Sequence, residues 1–345
     1  MINFAIIGAG NIGKIHAAAI EQIADARVSV VCTRTATGRA LAEACGAQWE
    51  PDYQGAVARA DVDVVAICTP SGTHAEIALA AAAAGKHLLV EKPLDITLRR
   101  VDSIIAAAGR AGVVLACVFP LRFAAGVHTA KAALNAGRLG RLTLLNVFVK
   151  WFRPQSYYDH SWRGTLALDG GGALINQSIH HIDLLQWLGG RVQSVLAQTA
   201  TLAHQMQAED TASAVLTFQH GALGMIQGAT SCWPGERARL ELHGDRGTII
   251  LEEGRIVVWK LADAAPGEEA HMLALETAQG SGAVDPTAIG PEMHRRQIVD
   301  LIGALRENRP PAVEGREARK SVEIIRAIYQ SAARQRAVSL PFSEP

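Results

Sequence analysis

The chain opens on an apolar run, Ile2–Ile7, that leads directly into Gly8-Ala9-Gly10-Asn11-Ile12-Gly13 and then into a helix-forming stretch. Few folds accommodate that spacing. The first glycine permits a tight turn, the second lets backbone approach an anion, and the third lets the following helix pack closely on the strand. A helix that starts there directs unpaired N–H groups and the positive end of its dipole at the loop, which suits a pyrophosphate. Gly8, Gly10, Asn11, Ile12 and Gly13 are therefore expected to hold a dinucleotide.

The next hundred residues extend the same pattern. Strands are expected at Val28–Cys32, Val64–Cys68, His87–Val90 and Val113–Val118, with helices at Ile12–Ile23, Gly38–Cys45, His74–Ala84 and Leu98–Ala108. Apolar strands alternating with amphipathic helices make a parallel sheet covered on both faces. Gly46, Gly85 and Gly112 fall where helices should stop.

After about residue 120 the pattern changes. A helix is expected at Val127–Leu134, a strand at Leu142–Trp151, a polar aromatic stretch up to Asp169, and a helix at Asn176–Leu188. Residues 192–260 read as consecutive strands with turns at His220-Gly221, Gly244-Asp245 and Glu253-Gly254, an antiparallel meander. Residues 262–290 read as a long loop, and helices over 291–307 and 315–335 close the chain. The expected fold class is α/β: a doubly wound parallel Rossmann sheet over 1–120, then an α+β domain over 121–345 with a large, mostly antiparallel open sheet. The C-terminal helix is free to pack back on the first domain.

Composition narrows the function classes. Lysine plus arginine and aspartate plus glutamate number 33 each, so there is no basic excess for nucleic acid or an anionic membrane surface. No apolar run is long enough for a membrane span, and no basic segment precedes an apolar one at the start. Cys32, Cys45, Cys68, Cys117 and Cys232 form no CxxC pair and read as free thiols in a reducing compartment, with the cytoplasm as the expected location.

The ribose-reading position follows the second strand, at Cys32-Thr33-Arg34-Thr35. An aspartate there would accept from the 2′-hydroxyl of NAD. Here Arg34 can pair with a 2′-phosphate while Thr33 and Thr35 donate to it, so NADP is the expected cofactor in preference to NAD.

Two segments carry candidate chemistry. The strand at His87–Val90 ends in Glu91-Lys92-Pro93, at the sheet end where ligands of doubly wound folds bind. Only seven of the 33 basic residues are lysines. Lysine can donate to a reacting oxygen as a compact charge, although a surface pair at a strand end fits the spacing equally well. The second segment is Gly170-Gly171-Gly172 leading into the helix with Asn176, His180, His181 and Asp183. Asn176 and His180 stand four apart and should share a face, with Asp183 on a neighbouring line, so that the three could line a cleft. An imidazole ordinarily titrates near neutrality, so His180 can take a hydroxyl proton. Adjacent histidines on a helix point about 100° apart, so no metal is expected on His180, His181 and Asp183. His181 reads as an ordinary helix-face residue.

With these motifs the sequence resembles the Gfo/Idh/MocA family of NAD(P)-dependent oxidoreductases. The resemblance runs through the glycine loop, Cys68-Thr69-Pro70 with His74, Glu91-Lys92-Pro93, Arg122-Phe123, Gly137-Arg138-Leu139-Gly140, Trp162-Arg163 and the histidine helix. It continues to Arg309-Pro310-Pro311, Ala327-Ile328-Tyr329-Gln330-Ser331 and Leu340-Pro341. It implies reversible hydride transfer between the nicotinamide and a carbon of a sugar, polyol or sugar derivative, with Lys92 and His180 as catalytic residues. Asn176 falls where many members carry aspartate. An amide can position a hydroxyl or His180 but cannot balance an imidazolium by charge. The resemblance further implies cofactor contacts from Cys68, Thr69, Pro70, His74, Glu91, Lys92 and Pro93. It places Lys92, Arg122, Trp162, Arg163, Asn176 and His180 near the substrate, with interdomain packing an equal reading for Trp162. It implies a homodimer or homotetramer built through the C-terminal sheet. Relatives that act on dihydrodiols or nucleotide sugars, and non-catalytic dinucleotide sensors, are the alternative functions. The presence of both Lys92 and His180 argues against a sensor.

Overall fold

The computed structural model describes residues 1–275, 290–342 and 344. They form two compact units. One comprises Met1–Pro120 with Gly290–Arg319, and the other takes its described residues from Leu121–Ile289 and Lys320–Pro345.

The first unit is a six-stranded parallel sheet: β1 Ile2–Ile7, β2 Ala26–Cys32, β3 Gln48–Glu50, β4 Val64–Ile67, β5 His87–Val90 and β6 Leu115–Cys117. Their spatial order is β3-β2-β1-β4-β5-β6. The chain therefore reverses direction of growth beside β1, between β1 and β4, where ligands of such sheets bind. Every residue of β4 is buried, as a strand covered on both faces must be. Phe4, Ile6, Val28, Val31, Val64 and Ala66 form the centre of the core. Ile298, Leu301 and Ile302 of the helix Glu292–Glu307 pack into the same core, although that helix is far away in sequence. Two elements escape the sequence reading. Strand β3 is only three residues long and not apolar, and the helix Tyr53–Ala58 is a turn and a half capped by Asp52.

The second unit holds an eight-stranded sheet: β7 Leu142–Lys150, β8 Val192–Ala200, β9 Thr211–Phe218, β10 Leu223–Ala229, β11 Arg239–Gly244, β12 Gly247–Glu252, β13 Arg255–Leu261 and β14 Val338–Ser339. Their order is β13-β12-β11-β7-β10-β9-β8-β14. The expected meander over 192–260 is thus interrupted. Strand β7 inserts between β10 and β11 and pairs with β10 in parallel, while the other pairs are antiparallel. Local alternation cannot reveal this, because β7 comes from some 70 residues earlier in the chain. Part of the expected long loop is a helix, Glu268–Leu273, and residues 276–289 of that loop lie outside the described residues.

One face of this sheet is packed. Ala212, Ala214, Leu216 and Phe218 of β9 alternate inward with Leu145, Val147 and Val149 of β7. The other face carries apolar side chains in register: Leu196 opposite Val215, and Leu144 opposite Leu223. Each of these four is exposed in the single chain, Leu223 by 54%.

Candidate active site

The phosphate loop closes the end of β1. Gly8 has φ +105°, a conformation that only glycine adopts without strain. A Cβ on Gly13 would stand 2.1 Å from the Gly8 carbonyl oxygen, so helix and loop meet without room for a side chain. At Gly10, by contrast, a Cβ would meet nothing within 4 Å. The loop is open there, on the side an anion would approach. The helix Asn11–Glu21 has no side-chain cap and no acidic residue in its first turn. Gly8, Gly10, Asn11, Ile12 and Gly13 therefore fit a pyrophosphate.

At the end of β2, Thr33 and Thr35 share a hydroxyl hydrogen bond of 3.2 Å and Arg34 is exposed. Strand β3 changes the charge of this corner. It sets Glu50 opposite Cys32, and Thr33 N donates to the Glu50 carbonyl. Asp52 follows two residues later. Burial raises the Cys32 thiol to about 11, the Asp52 and Glu50 carboxylates push it the same way, and Arg34 opposes them. The NADP preference expected from Arg34 and the two threonines leaves this negative charge out of account. Residues 33–35 contain no carboxylate, but β3 supplies Glu50 and the helix cap that follows it supplies Asp52.

Beyond β4, Cys68 is buried, its thiol raised by burial and by Glu91. Thr69 and Pro70 line the turn that follows. His74 is 1% exposed and its two ring nitrogens face the carbonyl oxygens of Pro93 at 2.9 Å and Thr69 at 3.0 Å. Expected as a cofactor ligand, His74 instead braces the Thr69-Pro70 turn against Pro93. Both of its polar atoms face backbone.

Lys92 is half-buried at the end of β5. Its backbone N–H donates to Glu91 Oε2 at 3.2 Å, and Glu91 Oε1 pairs with His16 Nε2 at 2.8 Å. His294 stands edge-on to His16. Burial works against the Glu91 charge, but His16, His294 and Lys92 outweigh it and bring the carboxyl down to about 2. Burial, with His16, brings His294 down to about 4. The donor atoms of His16, Glu91 and His294 lie within 4.8 Å of one another. Both Glu91 oxygens are already engaged, so the trio reads as a brace for the strand end that carries Lys92. Its members come from three distant segments, and only their meeting in space reveals it.

The second unit carries the histidine helix. It begins earlier than expected, as a π-type turn over Ala173–Ser178, and becomes α-helical over Ile179–Gly189. Such wide turns occur frequently at functional sites. The regular four-residue alignment of Asn176 with His180 does not carry across that junction. Glu209 explains the start: Oε1 accepts from Leu174 N at 2.8 Å and Oε2 from Gly172 N at 3.0 Å, while its backbone carbonyl accepts from Ala173 N. Tyr329 Oη donates to the same carboxylate at 2.9 Å. Burial pushes Glu209 up to about 7 against these donors. A Cβ on Gly172 would lie 1.9 Å from the Glu209 carbonyl oxygen, and one on Gly171 2.2 Å from Tyr329 Oη. Gly171 and Gly172 therefore leave room for the Tyr329 hydroxyl and the Glu209 backbone. Sequence reasoning missed Glu209, and the motif around Tyr329 was the one hint of it.

Asn176 and His180 are both half-buried. Asn176 Nδ2 donates to Asp169 Oδ1 at 2.6 Å, and Asn176 Oδ1 accepts from Gln177 Nε2 at 3.0 Å. Asp183 does not join them. It is fully buried, and both of its oxygens bind Arg122, at 2.6 and 2.7 Å. The Arg122 guanidinium also lies over the Trp187 ring. The expected cleft role of Asp183 and the expected substrate contact of Arg122 both give way to this buried ion pair, in which each is the other's partner. Trp162 and Arg163 are half-buried, with the Arg163 guanidinium 4.6 Å from the Tyr157 ring centroid and 5.4 Å from that of Trp162. His181 is buried against Trp151 and does not lie on an open helix face.

No helix among the described residues is long and apolar enough to cross a membrane, and all five cysteines are free.

Comparison with known proteins agrees with this picture. Residues 2–119 match the oxidoreductase family model with an NAD-binding Rossmann fold, and residues 127–250 match the GFO/IDH/MocA C-terminal domain. The chain is 27% identical to inositol 2-dehydrogenase of Rhizobium meliloti (strain 1021), over 98% of this chain and 99% of the relative. The crystal structure of the WlbA dehydrogenase from Bordetella pertussis in complex with NADH and UDP-GlcNAcA is 33% identical, with a TM-score of 0.89 over 99% of this chain and 98% of the other. Levoglucosan dehydrogenase in complex with NADH and levoglucosan is 25% identical, with a TM-score of 0.85 over 99% and 100%.

Proposed function

The chain belongs to the Gfo/Idh/MocA family of NAD-binding oxidoreductases, and from that premise we propose that it moves a hydride between NAD(H) and a CH–OH carbon of a sugar, polyol or nucleotide sugar. The observation that carries this reading is Lys92. It stands at the carboxyl end of β5 in the unit that holds the phosphate loop, with its backbone fixed by Glu91 and His16.

A bound nicotinamide supplies the hydride acceptor or donor. The protein's own part is binding, orientation and proton handling. Gly8–Gly13 hold the pyrophosphate, with Cys68, Thr69, Pro70 and Pro93 around the nicotinamide end. The Lys92 ammonium donates to the reacting oxygen and stabilises the negative charge that develops on it. The His180 imidazole takes the hydroxyl proton in the oxidative direction and returns it in reduction. Asn176 orients the substrate hydroxyl, and Trp162 with Arg163 stands beside the sugar. Turnover followed at 340 nm with NAD and a panel of inositols, anhydrosugars and nucleotide-sugar acids tests the reading. Saturable NADH binding without turnover on any of them would favour a dinucleotide sensor instead.

The coenzyme is NAD(H). The WlbA and levoglucosan dehydrogenase structures are complexed with NADH, and the NADP preference drawn from Arg34 finds no support in them. Glu50 and Asp52 set negative charge at the corner a 2′-phosphate would enter. Their repulsion works against the Arg34 guanidinium. We expect NADH to bind at least about tenfold more tightly than NADPH, a gap of about 1.4 kcal/mol. Titration of both by fluorescence quenching checks this, and equal or tighter NADPH binding would restore Arg34 as a phosphate ligand.

The protein works as a homo-oligomer joined through the open sheet. Leu144 with Leu223 and Leu196 with Val215 form two exposed apolar pairs on one face of the sheet, and large exposed apolar patches mark interaction surfaces. Val215→Lys is expected to shift the mass by light scattering to that of a single chain. A wild-type mass of one chain would remove this part of the proposal. The balanced charge and the free, mostly buried thiols fit a cytoplasmic enzyme.

A further inference from the structure

Asn176 falls where the resemblance leads one to expect the aspartate of many members, yet a carboxylate is present. Asp169, seven residues earlier, is 1% exposed and accepts from Asn176 Nδ2 at 2.6 Å. Its other oxygen accepts from Gly164 N at 2.8 Å. We infer that Asp169 is a positioning residue for the reaction: it fixes which way the Asn176 amide points, so that a carbonyl oxygen, the same kind of acceptor an aspartate would offer, is presented on the side away from Asp169.

The orientation is fixed from both ends of one hydrogen-bonded chain. An ionised carboxylate only accepts, so Asp169 must face the Asn176 NH₂ group. At the far end the Arg153 guanidinium only donates, so it must face Gln177 Oε1, at 3.1 Å. That turns Gln177 Nε2 towards Asn176 Oδ1, at 3.0 Å, and towards Tyr157 Oη, also at 3.0 Å. Both ends therefore demand the same Asn176 rotamer. An amide oxygen has two lone pairs. Gln177 donates to this oxygen, and a substrate hydroxyl that meets it meets an acceptor. Asp169 is itself held by the turn at Gly164, and Asn176 by the π-type turn that Glu209 caps. Without Asp169 the amide could flip and present a donor where the reaction needs an acceptor. The inference rests on the proposed hydride transfer and assigns to a pair of residues what the family pattern places on one.

Exchanging the two residues tests it, because each replacement has a definite donor and acceptor pattern. In Asp169→Asn the Gly164 N–H keeps the oxygen arm, so the new NH₂ arm faces the Asn176 NH₂, donor against donor. In Asn176→Asp two carboxylates face one another across 2.6 Å, acceptor against acceptor. In the double exchange the amide now at position 169 still accepts from Gly164 N and donates to the carboxylate now at position 176, and Gln177 still donates to that carboxylate. Each of these pairs is again donor to acceptor. Wild-type turnover is the control that separates the two proposals: without it the enzyme reading fails, and with it only the positioning role is in question. The expected result is a kcat lowered by about 10- to 100-fold in each single variant. NADH affinity stays within about twofold, and the double exchange restores kcat to within about threefold of wild type. Single variants that keep full kcat would overturn the inference. So would a double exchange no better than the worse single one when its circular dichroism spectrum and NADH affinity match wild type.

Discussion

Lys92→Ala should lower kcat by about 10³-fold or more in either direction while the dissociation constant for NADH changes by less than about threefold. The size follows from removing a preorganised positive charge and its hydrogen bond from the oxygen that gains charge in the transition state, where loss of a single such donor is worth about 10²–10³-fold. Binding is spared because the phosphate loop and its helix do not depend on that side chain: the Lys92 backbone, not its ammonium, is tied to Glu91. Stopped-flow turnover at 340 nm together with NADH fluorescence quenching separates the two. A variant that keeps more than about a tenth of the wild-type rate would remove Lys92 from the chemistry.

Asp183→Ala should be the most damaging of the non-catalytic substitutions. Its carboxylate is fully buried and binds Arg122 through two short hydrogen bonds, with Ser321 Oγ donating to the same group. Removing it takes both of those bonds from a guanidinium that is only 2% exposed. Breaking a buried pair from one side costs about 3–5 kcal/mol, because the buried charge loses the opposite charge and the two hydrogen bonds that Asp183 gives it. For a domain of this size that is a loss of roughly 10 °C in Tm. Calorimetry checks it. A double replacement of Arg122 and Asp183 by apolar residues of similar volume should recover most of the loss, since the pair as a whole stabilises little. A single-variant Tm within about 2 °C of wild type would show that the pair is solvated.

These two residues also show which parts of the molecule can be read along the chain and which cannot. The dinucleotide domain was legible because its information is local. The glycine loop, the apolar runs of β1, β2, β4 and β5 and the capping glycines each act within a few residues of themselves. The place of Lys92 just past the end of β5 was legible for the same reason.

What was hidden depends on pairing across distance. Strand β3 is too short and too polar to announce itself, yet it brings Glu50 and Asp52 to the corner that Arg34 alone seemed to define. Strand β7 pairs with β10 and β11, so the second sheet is not the meander that its local turns suggest. Asp183 looked like a third polar group beside Asn176 and His180. Its true partner, Arg122, lies 61 residues away. Glu209 and Asp169 lie outside the helix they organise, and the π-type turn at its start is imposed by Glu209 and by the contacts at Gly171 and Gly172. A helical wheel drawn on residues 176–188 cannot contain any of this.

The central claim is that a hydride passes between NAD(H) and a sugar-type carbon, with Lys92 and His180 handling the oxygen and its proton. Its most direct test is the initial rate at 340 nm of the wild-type enzyme with NAD over inositols, levoglucosan-like anhydrosugars and UDP-linked sugar acids, run beside His180→Ala. A saturable rate on at least one class is expected, lowered by about 10²–10⁴-fold in the variant. A wild-type rate that His180→Ala leaves unchanged would contradict it.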